Sequence, residues 1–241
     1  MTEKSSIEEK TAIFDENFAR IRREISDAAV VSGRTAADIT MLAATKTVPV
    51  EVINHAIACG VTHIGENRVQ EFCSKYASLT PCVRHFIGHL QTNKVKDIVG
   101  KVDMIQSVDS VKLAKEISKQ SARIGKTMDV LLEVNIGREE NKSGFFEEEL
   151  LSALREIAKI EHIRVMGLMA IPPICEDTEV LKKYFLKMHK LFVEIPKENL
   201  YNVNMVYLSM GMSEDFSLAV ACGANMVRIG SALFGKRNYN I

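Results

Sequence analysis

Short apolar runs rich in β-branched residues alternate with longer amphipathic stretches along the whole 241-residue sequence. Parallel neighbouring strands need a connection of at least a helix's length, so this alternation predicts a parallel sheet. Eight runs are predicted as strands: Ile39–Lys46, Val61–Glu66, Arg84–Gly88, Met104–Val108, Val130–Asn135, Arg164–Ala170, Asn204–Ser209 and Met226–Gly230. Eight such units in a chain of this length favour a closed (β/α)8 TIM barrel over an open sheet.

The stretches between the strands carry helical periodicity. Apolar residues recur at steps of three and four from Leu181 to Phe192 before Pro196 stops the pattern, and Gly125 is expected to close another helix as a left-handed cap. A leading amphipathic segment, Ile7–Val31, is predicted as an extra helix that covers the outside or bottom of the barrel. No linker interrupts the pattern, so residues 1–241 are predicted to form a single domain.

The charge balance argues against two classes of partner. The 31 Lys and Arg are matched by 31 Asp and Glu, so no global field attracts nucleic acid or an anionic membrane. No apolar run approaches the roughly 20 residues needed to cross a bilayer, and the polar start lacks a secretory apolar segment. We therefore expect a cytoplasmic protein with no nucleic-acid partner and no membrane partner.

Cysteine and histidine spacing does not predict a metal site. The five cysteines are odd in number and form no C-x-x-C pair, which favours reduced, buried thiols over disulfides or zinc ligands. His85 and His89 are four residues apart, but their surroundings indicate a strand and its loop, where the two rings diverge. No metal is therefore expected.

Active sites of (β/α) barrels lie where the strands end, and the first strand ends in a lysine. Lys46 comes just before a loop that Pro49 forces to be extended. A partly buried amine at this position is suited to imine formation, because burial disfavours its charged form. The alternative is structural: Lys46 extends into solvent at the rim, or it pairs with a nearby carboxylate such as Glu66.

The last two strand ends combine glycine with serine, which predicts a phosphate site. Barrels often bind phosphate after these strands, glycine lets backbone N–H groups approach an anion, and serine adds a donor. Glu214 and Asp215 at the start of the following helix would repel an anion, so we place the phosphate against Ser209, Gly230 and Ser231. Ordinary strand-to-helix turns are the alternative.

Arg228 lies two residues before Gly230 and therefore on the same face of its strand. A guanidinium at a barrel mouth needs an acceptor, such as a carboxylate, a phosphate or a ring nitrogen, and a structural salt bridge is the alternative. A lysine that can form an imine, a phosphate site and a fixed cation together describe a site for a phosphorylated aldehyde. Pyridoxal 5'-phosphate (PLP) is the commonest cofactor of this kind.

A series of motifs resembles the pyridoxal phosphate homeostasis proteins, the YggS/PROSC-like family, from about Ile39 to Phe234. The motifs are Ala44–Lys46, Gly65–Asn67, His85–Gly88, Leu90–Lys94, Glu133–Asn135, Gly167–Met169, Ser209–Ser213 and Val227–Gly230. The resemblance implies a fold-type III barrel, like the N-terminal domain of bacterial alanine racemase, that carries PLP as an imine on Lys46. It further implies Asn67 beside the cofactor ring, Arg228 opposite the pyridine nitrogen, and Ser209, Gly230 and Ser231 at the phosphate.

The loop between Gly137 and Gly144 contains Lys142, which is similar to a family position linked to PLP handling. Its charge-rich surroundings fit a solvated loop equally well. The resemblance therefore leaves open whether Lys142 takes part.

The same resemblance implies a PLP-binding protein of intracellular PLP (vitamin B6) homeostasis rather than an enzyme. An arginine cannot protonate the pyridine nitrogen, so the ring is a poor electron sink. Alanine racemases take a second acid/base from an additional domain of the partner subunit, which this sequence ends too early to contain. We expect a monomeric carrier without substantial turnover, with PLP-requiring apoenzymes as candidate partners. A PLP-dependent amino-acid racemase and a cofactor-free Schiff-base aldolase for phosphorylated sugars remain alternatives.

Overall fold

The computed structural model describes residues 3–235 and contains a strand within each of the eight predicted segments or overlapping it. The strands are β1 (Thr40–Ala44), β2 (His63–Glu66), β3 (Val83–Phe86), β4 (Met104–Val108), β5 (Met128–Val134), β6 (Ile163–Ala170), β7 (Val203–Ser209) and β8 (Met226–Ile229). Each strand pairs in parallel with the next, and β8 pairs with β1. The predicted closed (β/α)8 barrel is therefore confirmed.

Helices occupy the connections between the strands. They are α1 (Glu3–Val31), α2 (Val50–Ala58), α3 (Val69–Lys75), α4 (Val95–Ile98), α5 (Val111–Arg123), α6 (Glu147–Ile157), α7 (Thr178–Glu194), α8 (Phe216–Ala221) and α9 (Ser231–Phe234). The predicted ends are confirmed: Gly125 follows α5 with φ +63°, and α7 stops two residues before Pro196. No helix within residues 3–235 is long and apolar enough to cross a membrane.

The extra N-terminal helix α1 packs on the outside of the barrel, as predicted, against α2, α8 and α9. Phe14 is fully buried there, with its ring 5.2 Å from that of Phe18 and 5.7 Å from that of Phe234. Beyond the helix, Arg34 donates to the Ala224 carbonyl at 2.8 Å. Pairing of β8 with β1 closes the barrel, and helix α1 covers the outside of this junction.

The interior of the barrel is divided between apolar and polar side chains. Leu42, Ile87 and Met226 form one buried apolar cluster, and Met104, Leu131 and Met169 form another. Strands β3, β4, β7 and β8 also carry buried polar side chains, namely His85, Gln106, Ser209 and Arg228. A buried polar group is costly unless it is hydrogen-bonded, so this polar layer must satisfy itself internally or serve a ligand.

Gly167 shows how closely the strands approach one another. Its φ of +146° is disfavoured for residues with a side chain, and a Cβ atom there would lie 1.8 Å from the Tyr207 carbonyl oxygen. The position therefore requires glycine.

Candidate functional site at the barrel mouth

Strand register brings four predicted residues to one side of the barrel mouth. Ala44 of β1 pairs with Gly65 of β2, and the β1–β8 ladder pairs Leu42 with Arg228. Lys46 follows the end of β1 by two residues, Asn67 directly follows β2, and Gly230 and Ser231 directly follow β8. Lys46, Asn67, Gly230 and Ser231 therefore lie at the ends of three adjacent strands.

Lys46 lies just beyond β1 rather than at its last position. The strand ends at Ala44, and Lys46 begins a turn in which Thr47 adopts a left-handed conformation with φ +66°. This conformation is strained for a β-branched residue. The Lys46 side chain is half-buried, and within residues 3–235 its amine makes no hydrogen bond or ion pair.

The suggested pairing of Lys46 with Glu66 is not formed, because Glu66 has another partner. The buried Glu66 carboxylate accepts from Lys75 Nζ at 3.1 Å and from Thr45 Oγ1 at 2.8 Å. Burial raises the pKa of Glu66, and the charge of Lys75 opposes the rise. Lys75, the last residue of α3, therefore takes the place that the sequence suggested for Lys46 as the partner of this carboxylate.

The same network holds the backbone on both sides of Lys46. Lys75 Nζ donates to the Thr45 carbonyl at 3.1 Å and to Glu71 at 2.6 Å, and Glu71 accepts from the Thr47 N–H. Thr45 and Thr47 are thereby fixed, whereas the side chain between them is left unpaired. The arrangement fixes the backbone on both sides of Lys46 without neutralising its amine.

Arg228 is buried rather than at a rim, with 4% of its surface exposed. Nη1 donates to the Ser209 carbonyl at 2.8 Å and to Ser209 Oγ at 2.7 Å, and Nη2 donates to the Ala170 carbonyl at 2.9 Å. Within residues 3–235 no carboxylate forms a salt bridge with it, so the structural alternative of an ion pair is wrong. Since a guanidinium carries five N–H donors, about two stay available to a further acceptor.

The guanidinium stays charged despite its burial. Desolvation lowers the pKa of Arg228 to about 10, while Glu133 and Asp215 oppose the change. A group with this pKa is protonated at neutral pH. Arg228 therefore supplies a fixed positive charge to whatever lies above it in the mouth.

The Ser209 hydroxyl is committed to a buried network. It donates to Gln106 Oε1 at 2.7 Å while accepting from Arg228, and Gln106 Nε2 donates to His85 Nδ1 at 2.9 Å. Burial lowers the pKa of His85 to about 3, so its ring is neutral. Ser209 lies two residues deeper in the ladder than the Arg228 level, because it pairs with Met226. The structure thus separates Ser209 from the other predicted phosphate residues.

Gly230 and Ser231 lie at the start of the one-turn helix α9. The hydroxyl of Ser213 accepts from the Gly230 N–H at 3.2 Å and from the Ala232 N–H at 3.1 Å. The Ser231 N–H lies between these two, and within residues 3–235 neither it nor the exposed Ser231 hydroxyl has a hydrogen-bond partner. These are free donors of the kind that an anion would need.

Glu133 is a further mouth residue to which the sequence assigned no role. It occupies β5, and burial raises its pKa to about 7, with the like charge of Asp109 adding to the rise and Arg228 opposing it. A carboxyl with a pKa near neutrality at a barrel mouth is typical of functional sites. The signal in the sequence is an acidic residue next to the last position of β5, after the apolar run from Val130 to Leu132.

The charge-rich loop between Gly137 and Gly144, which follows β5, is held by hydrogen bonds from Asn135. Asn135 Nδ2 donates to the carbonyls of Glu139 and Lys142, at 2.9 and 3.2 Å, and the exposed Lys142 forms an ion pair with Glu139 at 2.5 Å. His89 lies close by and contacts Ser143 Oγ at 2.9 Å. His85 lies inside the barrel instead, so the two rings diverge, as predicted.

Comparison with known proteins identifies the family. Residues 13–238 match the family described as alanine racemase, N-terminal domain. The pyridoxal phosphate homeostasis protein of Aquifex aeolicus is 45% identical over 226 residues, 93% of this chain and 98% of that protein. The protein of the same name from Escherichia coli K12 is 34% identical over 229 residues, 93% of this chain and 97% of that protein.

Solved structures agree with the sequence matches. PipY of Synechococcus elongatus, solved with PLP bound, is 31% identical with a TM-score of 0.77, and the match covers 88% of this chain and 100% of PipY. Clostridium difficile alanine racemase, at 18% identity, a TM-score of 0.67 and a match over 84% of this chain and 56% of that one, shares the fold. The chain therefore belongs to the pyridoxal phosphate homeostasis protein family, built on the barrel that alanine racemases carry as their N-terminal domain.

Proposed function

We propose that this protein binds PLP at the barrel mouth, covalently through Lys46, and acts in intracellular PLP homeostasis. The observation that carries the proposal is an amine without a partner within residues 3–235, on a backbone fixed at Thr45 and Thr47, at the end of the strand next to β8, after which the Ser231 N–H and hydroxyl are free anion donors. Relatives at 34–45% identity bear the name pyridoxal phosphate homeostasis protein, and PipY has been solved with PLP bound.

The residues at the mouth fit the cofactor by their unused donors. Ser231 offers a hydroxyl and a backbone N–H to a phosphate, Arg228 retains about two N–H groups for a ring nitrogen, and Asn67, directly after β2, has a side-chain amide. Ser209 would act indirectly, because its hydroxyl orients the Arg228 guanidinium. These are assignments of role that we propose for the residues named above.

Bound PLP supplies an aldehyde that condenses with an amine and a ring that can withdraw electrons. The Lys46 amine would provide the attachment point, and the condensation releases one water. Arg228 keeps its protons and cannot act as an acid toward the ring nitrogen, so we expect the ring to withdraw electrons poorly. The residues present thus favour holding PLP over using it.

We propose that the protein therefore lacks substantial catalytic turnover. A racemase-like enzyme is the second candidate, and Glu133 favours it, because a carboxyl with a pKa of about 7 could move a proton at neutral pH. Deuterium exchange at the Cα of a panel of amino acids separates the two. Exchange far above that of free PLP, and lost in Glu133→Gln, would support the enzyme.

The first experiment measures retention of PLP after extensive gel filtration. We expect stoichiometric PLP in the wild-type protein, none in Lys46→Ala, and reduced retention in Ser231→Ala and Asn67→Ala. Lys182→Ala, on the exposed face of α7, is the matched lysine control and should retain PLP fully. Loss of PLP in Lys182→Ala or full retention in Lys46→Ala would contradict the proposal.

Lys142, the exposed loop lysine with an ion pair to Glu139, completes the lysine series. Lys142→Ala should retain PLP like the control if this residue only anchors its loop. Faster loss of PLP from that variant would assign it to PLP handling.

We further propose a cytoplasmic, monomeric protein that passes PLP to PLP-requiring apoenzymes. The PLP-loaded protein, mixed with such an apoenzyme, should restore its activity faster than PLP leaves the carrier alone. Sedimentation at micromolar concentration tests the oligomeric state.

A further inference from the structure

A cluster of possible metal ligands joins α1 to α2 away from the barrel mouth. Asp15 comes from α1, His55 comes from the last turn of α2, Cys59 directly follows that helix, and one ligand atom of each lies within 4.8 Å of the other two. Cys59 precedes the N-terminal end of β2, at the end of the barrel opposite the strand ends that form the mouth. The cluster therefore lies outside the proposed PLP site.

The distances between the three ligand atoms resemble those around a tetrahedral metal ion. Cys59 Sγ lies 3.5 Å from His55 Nε2 and 3.6 Å from Asp15 Oδ1. A tetrahedral zinc ion with Zn–S about 2.3 Å and Zn–N or Zn–O about 2.0 Å separates sulfur from its other ligands by about 3.5 Å. The Nε2–Oδ1 distance of 2.7 Å is shorter, because these two atoms share a hydrogen bond that an ion would replace.

The geometry distinguishes a metal site from a nucleophilic triad. A cysteine protease-like triad uses both nitrogens of the histidine, one toward the thiol and the other toward the carboxylate. Here Asp15 and Cys59 both approach the same atom, His55 Nε2.

We propose that Asp15, His55 and Cys59 bind a divalent zinc-type ion. Spacing of four residues on one helix presents the imidazole and the thiol on the same face, and α1 supplies the third ligand. Carboxylate, imidazole and thiolate together suit Zn²⁺ better than hard cations such as Mg²⁺. The rings of Phe14 and His55 pack nearly perpendicular to each other, with their centroids 5.8 Å apart.

The fourth coordination position is open. The side chains of Asp15 and His55 are 53% and 34% exposed, so water can complete the coordination. Such a site holds its ion exchangeably rather than as a closed structural site. Binding also releases the thiol proton of Cys59, so affinity should increase with pH.

Cobalt(II) is the probe, because it takes tetrahedral sites and has visible d–d bands to the red of PLP absorption. Protein with its cysteines in the thiol form and with PLP bound is titrated with CoCl2. It should develop these bands with one ion per chain, and ZnCl2 should remove them. Cys59→Ser and His55→Gln should weaken the apparent affinity by at least about tenfold. Cys175→Ser, which removes a thiol outside the cluster, should match the wild-type protein.

Absence of the bands in the wild-type protein, or unchanged affinity in Cys59→Ser and His55→Gln, would overturn the proposal. If Cys59→Ser or His55→Gln folds poorly, thermal unfolding provides a second test. ZnCl2 should raise the unfolding midpoint of the wild-type protein and not that of Asp15→Asn. Lys46→Ala should bind cobalt like the wild-type protein. The metal site and the PLP site can therefore fail independently.

Discussion

The two cations at the barrel mouth are held in opposite ways. Arg228 is buried and donates three hydrogen bonds to the protein, whereas the amine of Lys46 is half-buried and unpaired within residues 3–235. Around Lys46 the side-chain hydrogen bonds go to the backbone of Thr45 and Thr47 instead. The difference fits two roles: a charge that must stay in place, and an amine that must remain free to react.

The largest expected effect comes from breaking the buried side of this comparison. Arg228→Gln removes the guanidinium that donates hydrogen bonds to Ser209 and Ala170. It also removes the positive charge that opposes the rise in the pKa of Glu133. We expect the free energy of unfolding to fall by about 3–4 kcal/mol, measured by urea denaturation of the PLP-free protein. A change below about 0.5 kcal/mol would show that the guanidinium contacts do not stabilise the barrel.

Glu133 tests the electrostatics facing Arg228. Its folded pKa of about 7 lies above the usual 4.5, so the folded state binds the proton more tightly, and stability falls as pH rises from about 4.5 to 7. Glu133→Gln should therefore stabilise the PLP-free protein by about 2–3 kcal/mol at pH 8 and leave it nearly unchanged at pH 4.5. Urea denaturation at both pH values measures this difference. Equal effects at the two pH values would contradict the raised pKa.

Two serines sharpen the comparison at a smaller scale. Ser209→Ala removes the hydroxyl that donates to Gln106 Oε1 and accepts from Arg228 Nη1, and should cost about 1–2 kcal/mol of stability. Ser231→Ala removes an exposed hydroxyl without a partner in residues 3–235, so stability should change by less than about 0.5 kcal/mol while PLP retention falls. Urea denaturation and gel filtration measure the two effects. A larger loss of stability in Ser231→Ala than in Ser209→Ala would contradict the distinction between the buried Ser209 network and the free donor at Ser231.

The sequence predicts the barrel well because the patterns that indicate strands, helices and helix ends involve residues close to one another in the sequence. Alternating strands and helices, the Gly125 cap and the stop before Pro196 depend on neighbouring residues, and all agree with the structure. The end of β1 is less accurate: Lys46 was expected within the strand, but the left-handed Thr47 turns the chain after Ala44. Such backbone strain depends on the distant Glu71 and is not visible in local patterning.

Contacts between distant residues explain what the sequence did not predict. Glu66 pairs with Lys75 rather than Lys46, and Ser209 bonds Gln106, which lies 103 residues away in sequence. Arg228 was expected to need an acceptor at the barrel mouth, but its acceptors at Ser209 and Ala170 lie 19 and 58 residues away in sequence. Asp15 reaches His55 through the packing of α1, which no spacing within α2 reveals.

The central claim is that Lys46 is the attachment point for PLP. Because its amine has no partner within residues 3–235, Lys46→Ala should change the free energy of unfolding of the PLP-free protein by less than about 0.5 kcal/mol. The most direct measurement is borohydride reduction of the PLP-loaded protein, followed by intact-mass and peptide mass spectrometry. We predict one phosphopyridoxyl adduct on the peptide containing Lys46, and none in Lys46→Ala. An adduct on another lysine of the wild-type protein, or none at all, would contradict the account.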